Sequence, residues 1–263
     1  MTLAPTVEQR IEATRRPAGR SLVMHQRWER LLFLHWRVEP EVIQATLPPR
    51  LVVDTHDGHA YLGVVPFLMR GVRPRFCPAV PGVSSFLELN LRTYVHDDRG
   101  RPGVWFYSLD ANQPIAVALA RALFSLPYRH AVMRAAVADD GWVDVSSRRR
   151  GDQEQRFRYR PGAPLGPADP GSLEYFLAER YLLFAHRPRD GALLMGQVHH
   201  APYPLTDVEV AAASRRLFTL NGFADPGRPA EHAMMAAGVA VSIYGLQRVS
   251  SLDPAHDQPR PGG

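Results

Sequence analysis

Ten consecutive residues, Phe86-Leu-Glu-Leu-Asn-Leu-Arg-Thr-Tyr-Val95, alternate between two kinds of side chain. Successive side chains on a strand point to opposite faces. Leu87, Leu89, Leu91, Thr93 and Val95 therefore share one face, which must pack on a core, and Phe86, Glu88, Asn90, Arg92 and Tyr94 share the other. That second row is either a solvated face or the wall of a pocket. Strand geometry puts Glu88 and Arg92 about 13 Å apart along the backbone, too far to neutralise each other directly. If buried, each needs a partner from another strand or from a ligand. The aromatic ends of the row suit a pocket lining.

Other strand signals dominate the chain. Residues 31–38 are large and apolar, 60–69 follow the Asp57-Gly58 turn and read as a strand buried on both faces, and 104–110 alternate. Further strands are expected at 142–147, 155–159, 181–186, 192–199 and 239–249, the pair 181–186 and 192–199 forming a hairpin. Helices are fewer. Pro114 opens one that Pro127 stops; its only polar residues are Arg121 and Ser125, so nearly all of its surface is expected to be buried. A second runs from Ser172 to about Arg180, and Thr206 with Glu209 forms a capping box for a third ending near Gly222. The Pro/Gly-rich stretch 161–171 reads as a surface loop. The expected fold is α+β and mainly β: a curved, mostly antiparallel sheet wrapped around or packed on a buried helix. No composition break divides the chain, so one domain is expected over 21–250, between a polar arm at 1–20 and a disordered tail at 251–263.

Composition narrows the chemistry. None of the 31 basic residues is lysine. No side-chain amine is present to form a Schiff base or hold pyridoxal phosphate, and no P-loop lysine exists. The single Cys77 permits neither an internal disulfide nor a Cys-based zinc site. A net charge of +5 invites a nucleic-acid reading, but the arginines are scattered and no recognisable binding motif accompanies them, so no nucleic-acid partner is expected. No apolar run reaches membrane-spanning length and the first residues lack an apolar signal segment; a cytoplasmic protein without a membrane partner is expected. The absence of a Gly-rich phosphate loop argues against a nucleotide, and no cofactor is expected. Eleven histidines occur without a His-Glu-x-x-His pattern, and no metal site is expected.

The 86–95 segment does not stand alone. Gly-Val-Trp-Phe-Tyr-Ser-Leu-Asp-Ala at 103–111, Leu-Pro-Tyr-Arg-His-Ala at 126–131, Glu179-Arg180-Tyr181, Val198-His-His-Ala-Pro-Tyr-Pro204 and Phe33-Leu-His-Trp36 accompany it. Together, over roughly residues 25–205, they resemble the uncharacterised YqjF-like family (DUF2071), which is grouped with the acetoacetate decarboxylase-like superfamily. The resemblance implies a cone-shaped, barrel-like antiparallel sheet closing around a central cavity, with flanking helices. It does not supply a reaction. Ser125-Leu126-Pro127-Tyr128-Arg129 is similar to the stretch carrying the Schiff-base lysine in the decarboxylases, so Tyr128 and Arg129 stand about where the lysine pair would be. Arginine cannot deputise, because its guanidinium stays protonated.

What remains is noncovalent chemistry on a small, anionic, carbonyl-containing ligand. Arg92 is expected to clamp an oxyanion, Glu88 to move a proton next to a carbonyl, and Tyr128 to donate a hydrogen bond. Asn90, Ser108, His35, His199 and Arg129 complete the expected ligand contacts. The same groups equally suit a satisfied polar network, and a noncatalytic ligand-binding or sensing protein uses the same cavity. His199 and His200 point to opposite strand faces, so at most one enters a cavity; His35 also reads as a core histidine bonded to backbone. Ser108 and Asp110 share a face but lack a nucleophile elbow. Glu179 and Arg180 read as an ion pair or helix cap, Trp36, Trp105 and Trp142 as core, and Trp28 as a surface anchor. A homo-oligomer is compatible with all of this.

Overall fold

In a computed structural model describing residues 4–249, the chain forms helices α1 (Val7–Thr14), α2 (Pro40–Gln44), α3 (Pro114–Phe124), α4 (Leu173–Ala178) and α5 (Arg216–Leu220). The strands are β1 (Leu22–Val38), β2 (Leu51–Val53), β3 (Ala60–Pro74), β4 (Phe86–Asp97), β5 (Pro102–Ala111), β6 (Tyr128–Val137), β7 (Val143–Arg149), β8 (Gln155–Gly166), β9 (Leu182–Arg187), β10 (Ala192–His199), β11 (Leu205–Ala213) and β12 (His232–Arg248). They join one twelve-stranded sheet in the order β10-β9-β5-β6-β7-β8-β11-β12-β1-β3-β4-β2. The strand pairs are antiparallel except β5–β6 and β5–β9. The fold is thus α+β and mainly β. No described helix is long and apolar enough to cross a membrane.

Two additional pairings, β10–β12 and β4–β5, close the sheet on itself. They create two circuits that share the wall β12-β1-β3-β4-β5. The larger is completed by β6, β7, β8 and β11, the smaller by β9 and β10. The larger is filled by apolar side chains: Leu87, Leu89 and Leu91 of β4 meet Met133, Val145 and Phe157 from the far strands. The smaller collects Phe33, Tyr94, Val198 and Tyr203 and is plugged by Phe176 and Leu177 of α4. Because β4 lies in the wall common to both, all of its residues are buried. Close approach of β9 to β5 depends on Gly103, where a Cβ would meet the Leu182 carbonyl oxygen at 2.8 Å.

Several expectations need correction. Leu205–Ala213 is strand β11, not a helix opened by a Thr206–Glu209 capping box. Its two edges pair with β8 and β12, and the Thr206 hydroxyl donates to the Met235 carbonyl instead of accepting from a helix N–H. Tertiary pairing overrode a local cap signal; only the short α5 follows. The 161–171 stretch is strand as far as Gly166, its prolines sitting where the β8–β11 register shifts. The enclosed helix is α4, not α3. The crossover between parallel β5 and β6, α3 packs one side, with Val117, Ala116, Ala120 and Phe124, on the inner cluster and leaves Ile115 55% exposed. Residues 7–14, within the expected arm, form α1 with a Thr6–Gln9 capping box. Trp28 is half-buried and packs edge-on against Phe67 instead of anchoring at the surface. The expected tail at 251–263 lies outside the described residues.

Candidate functional site

The polar row of β4 faces the smaller circuit. Glu88, Asn90 and Arg92 are 2, 3 and 9% exposed, so this is not a solvated face. At one end Tyr128, the first residue of β6, donates its phenolic proton to Glu88 Oε2 at 2.6 Å, and Asn90 Nδ2 donates to Oε1 at 3.2 Å. Burial pushes the Glu88 carboxyl up to about 7, against the lowering effect of these two donors. Tyr128 is driven well above its ordinary value, first by burial and then by the adjacent carboxylate. Both protonation states of Glu88 are therefore accessible near neutral pH, while Tyr128 stays a donor.

At the other end, Arg92 has no carboxylate within ion-pair distance among the described residues. Its Nη2 donates to the Leu177 carbonyl at 3.1 Å, in the last turn of α4 where a cation is favoured. Its guanidinium carbon lies 5.4 Å from the Phe33 ring centre and 5.6 Å from that of Tyr94. Arg92 Nε and Asn90 Oδ1 are buried without a hydrogen-bond partner among the described residues. A lone buried cation with an unmet donor is costly unless an anion completes it.

His35 stands beside Arg92. Tyr94 donates to the Leu177 carbonyl at 2.9 Å and lies 2.7 Å from His35 Nε2, so His35 Nε2 is the donor and Nδ1 a bare acceptor. Burial, then His232 and Arg92, hold the His35 imidazolium well below its ordinary pKa, consistent with a neutral ring. Gly63, opposite both His35 and Arg92, makes this meeting possible: a Cβ there would lie 3.2 Å from the imidazole.

Of the support beneath, the sequence pointed to Glu179 and Arg180 but not to Asp54 or Arg10; Arg180 caps α4 and pairs with Asp54, not with Glu179. Asp54 accepts from Arg10 Nη1 at 2.6 Å and from Arg180 Nη1 at 2.7 Å. Burial alone would raise its carboxyl, but Arg180 and Arg10 hold it below the ordinary value. Arg180 Nε also caps α4 through the Phe176 carbonyl, and burial lowers this guanidinium to about 10 despite Asp54. Glu179 accepts from the Tyr181 hydroxyl and the Tyr203 amide. Arg10 and Arg180 share Asp54, while Arg92 pairs with no carboxylate among the described residues.

Three expected ligand contacts fall elsewhere. Ser108 pairs with Leu91 and so faces the larger circuit, where Arg149 and Asn221 donate to it and Arg149 pairs with Asp110. Arg129 is exposed and, one residue on from Tyr128, lies on the opposite face of β6, beside Asp110. His199 is only half-buried at the end of β10; it is His200 that points inward, stacked on Tyr181 at 4.3 Å. The His200 ring is fixed by Nδ1 donating to the Ala201 carbonyl, which leaves Nε2 buried and unpartnered; burial lowers its pKa to about 4. Glu88, Asn90, Arg92, Tyr128 and His35 are the residues brought to one side. Among the described residues, no cluster of three or more His, Cys, Asp or Glu is placed to hold a metal ion.

Among the described residues are clefts of about 550 and 400 Å³, the smaller walled in part by Leu87, Met133 and Val145 of the larger circuit; neither is lined by Glu88, Asn90 or Arg92.

This architecture is that of the acetoacetate decarboxylase-like fold. MppR, an enduracididine biosynthesis enzyme solved in complex with pyruvate, superposes with a TM-score of 0.62 at 13% identity, covering 89% of this chain and 93% of MppR. Acetoacetate decarboxylase from Legionella pneumophila gives 0.59 at 13% identity, covering 95% and 97%. The sequence itself is closer to the uncharacterized protein YqjF of Bacillus subtilis (strain 168), 37% identical over 207 residues, which are 78% of this chain and 84% of YqjF. Residues 25–240 match DUF2071, described as an uncharacterized conserved protein, and the chain belongs to that family.

Proposed function

We propose that the protein binds a small carbonyl acid in a central cavity of the smaller circuit. The ligand carboxylate sits on Arg92, and the Glu88–Tyr128 pair moves a proton at the carbon next to the carbonyl. The observation that carries this reading is Arg92: buried, without a carboxylate partner among the described residues, and with Nε unbonded. A guanidinium in that state matches a carboxylate in shape as well as charge. MppR, which shares the fold, was solved with pyruvate.

The step balances without a covalent intermediate. Ionised Glu88 takes a proton from the carbon next to the carbonyl, the C–H electron pair becomes the C=C bond as the carbonyl π pair moves to oxygen, and the enolate is held by the nearby cation and donors. Return of the proton restores Glu88. With no lysine in the sequence, borohydride reduction in the presence of pyruvate leaves no adduct at an internal residue.

The test uses pyruvate in deuterated buffer. Wild-type protein binds it by calorimetry and exchanges its methyl protons faster than buffer. Arg92→Leu loses binding at least tenfold, and Glu88→Gln keeps binding but loses exchange. Undiminished binding by Arg92→Leu removes Arg92 from the site. Binding without exchange in the wild type overturns the proton-transfer half and leaves a receptor.

A further inference from the structure

The outer edge of β5 is claimed by two different strands. Val104 and Trp105 pair with β9, Leu109 to Ala111 with β6, both in parallel. Phe106, Tyr107 and Ser108 lie between, with neither neighbour in register. On the opposite edge the β4 pairing slips from Leu91↔Ser108 to Arg92↔Phe106, which leaves Tyr107 as an extra residue. Two strands cannot follow one edge, so they diverge and leave a slit. The 550 Å³ cleft opens there, walled by Trp105, Phe106, Tyr107, Leu126 and Phe184.

This slit adjoins the Arg92 site. Phe106 is the cross-strand neighbour of Arg92 and so shares its inward face. It packs against the inner cluster while also lining the cleft, and Leu126, two residues before Tyr128, does the same. The volume falls in the range of small-molecule sites, and aromatic walls favour a flat apolar group.

We infer that the slit is a tail subsite and that the ligand is a 2-oxo acid bearing an aromatic or bulky apolar end. The acid group lies at Arg92 and the tail extends past Phe106, which rotates aside to admit it, into the cleft. This rests on the anion site at Arg92, and the following experiment separates the two ideas.

Pyruvate and phenylpyruvate serve as probes in calorimetry on the full chain. Wild type binds phenylpyruvate at least tenfold more tightly. His186→Trp and Thr46→Trp each place bulk in the cleft from an exposed lip position, and each brings the affinity ratio toward one; thermal unfolding checks that both are folded. Arg92→Leu weakens both ligands. A ratio near one in the wild type, or one unmoved in both folded lip variants, overturns the tail subsite while Arg92 dependence keeps the anion site. Phenylpyruvate bound independently of Arg92 overturns both.

Discussion

One strand, β4, turns an apolar face to one circuit of the sheet and a polar face to the other. Leu87, Leu89 and Leu91 enter the larger circuit and meet only apolar partners in their cluster. Glu88, Asn90 and Arg92, one residue out of phase, enter the smaller circuit, where Asn90 Oδ1 and Arg92 Nε are left without a partner among the described residues. The first face is what a stable protein needs. The second is destabilising in isolation, because desolvated charge without a partner opposes folding. On the function proposed above, the packed face holds the fold and the polar face binds the ligand.

The contrast breaks most visibly through Leu91→Ala. Deleting a fully buried leucine lowers unfolding free energy by about 2–5 kcal/mol, read by urea denaturation, while the folded variant still binds pyruvate. A loss under about 1 kcal/mol contradicts the packed reading of that face.

Glu88 gives the next largest effect. Its folded pKa of about 7 lies above its ordinary value of 4.5. The native state therefore keeps a proton that the unfolded chain has released over that window. The associated stability is fully present below about pH 4.5 and is lost as pH rises through 7, a change of about 3 kcal/mol by pH 8. Unfolding curves at pH 4.5 and 8 show wild type losing this amount relative to Glu88→Gln. Parallel pH dependences place Glu88 in a wet environment.

Tyr128→Phe is smaller. Removing the 2.6 Å donor takes away a bond that favours the carboxylate. The Glu88 titration then moves up by about one pH unit, or about 1.4 kcal/mol, visible by carboxyl-labelled NMR. A downward shift contradicts the assigned donor. Smallest of all, Arg156→Ala removes the exposed pair with Glu154 and changes stability by less than about 0.5 kcal/mol. A larger change marks that surface as something more than solvated.

How much of this is visible in the sequence follows from the range of the interactions. The alternation of 86–95 is local, and it identified the strand and its two faces. The hairpin of β9 and β10 is also local. That both faces are covered depends on the closure pairings β4–β5 and β10–β12, which no local pattern announces. Asp54 meets Arg180 across 126 positions, and no spacing rule connects them. The capping-box signal at Thr206 failed because the strand found partners on both edges, and α3 read as buried all round because composition does not say how much of a crossover helix the rest of the fold covers. Ser108 and Asn90 looked alike as polar strand residues; the β4–β5 register alone separates them onto opposite faces. His199 and His200 were known to diverge, but which of them turns inward was set by the end of β10.

The account stands or falls on what Arg92 holds. A crystal structure of the protein soaked with pyruvate at neutral pH tests it directly. The account predicts a carboxylate within hydrogen-bonding distance of Arg92 Nε, with the carbonyl end toward Asn90 and Glu88 and no bond to any side chain. Pyruvate bound elsewhere, with Arg92 Nε satisfied by a protein carboxylate, would contradict it.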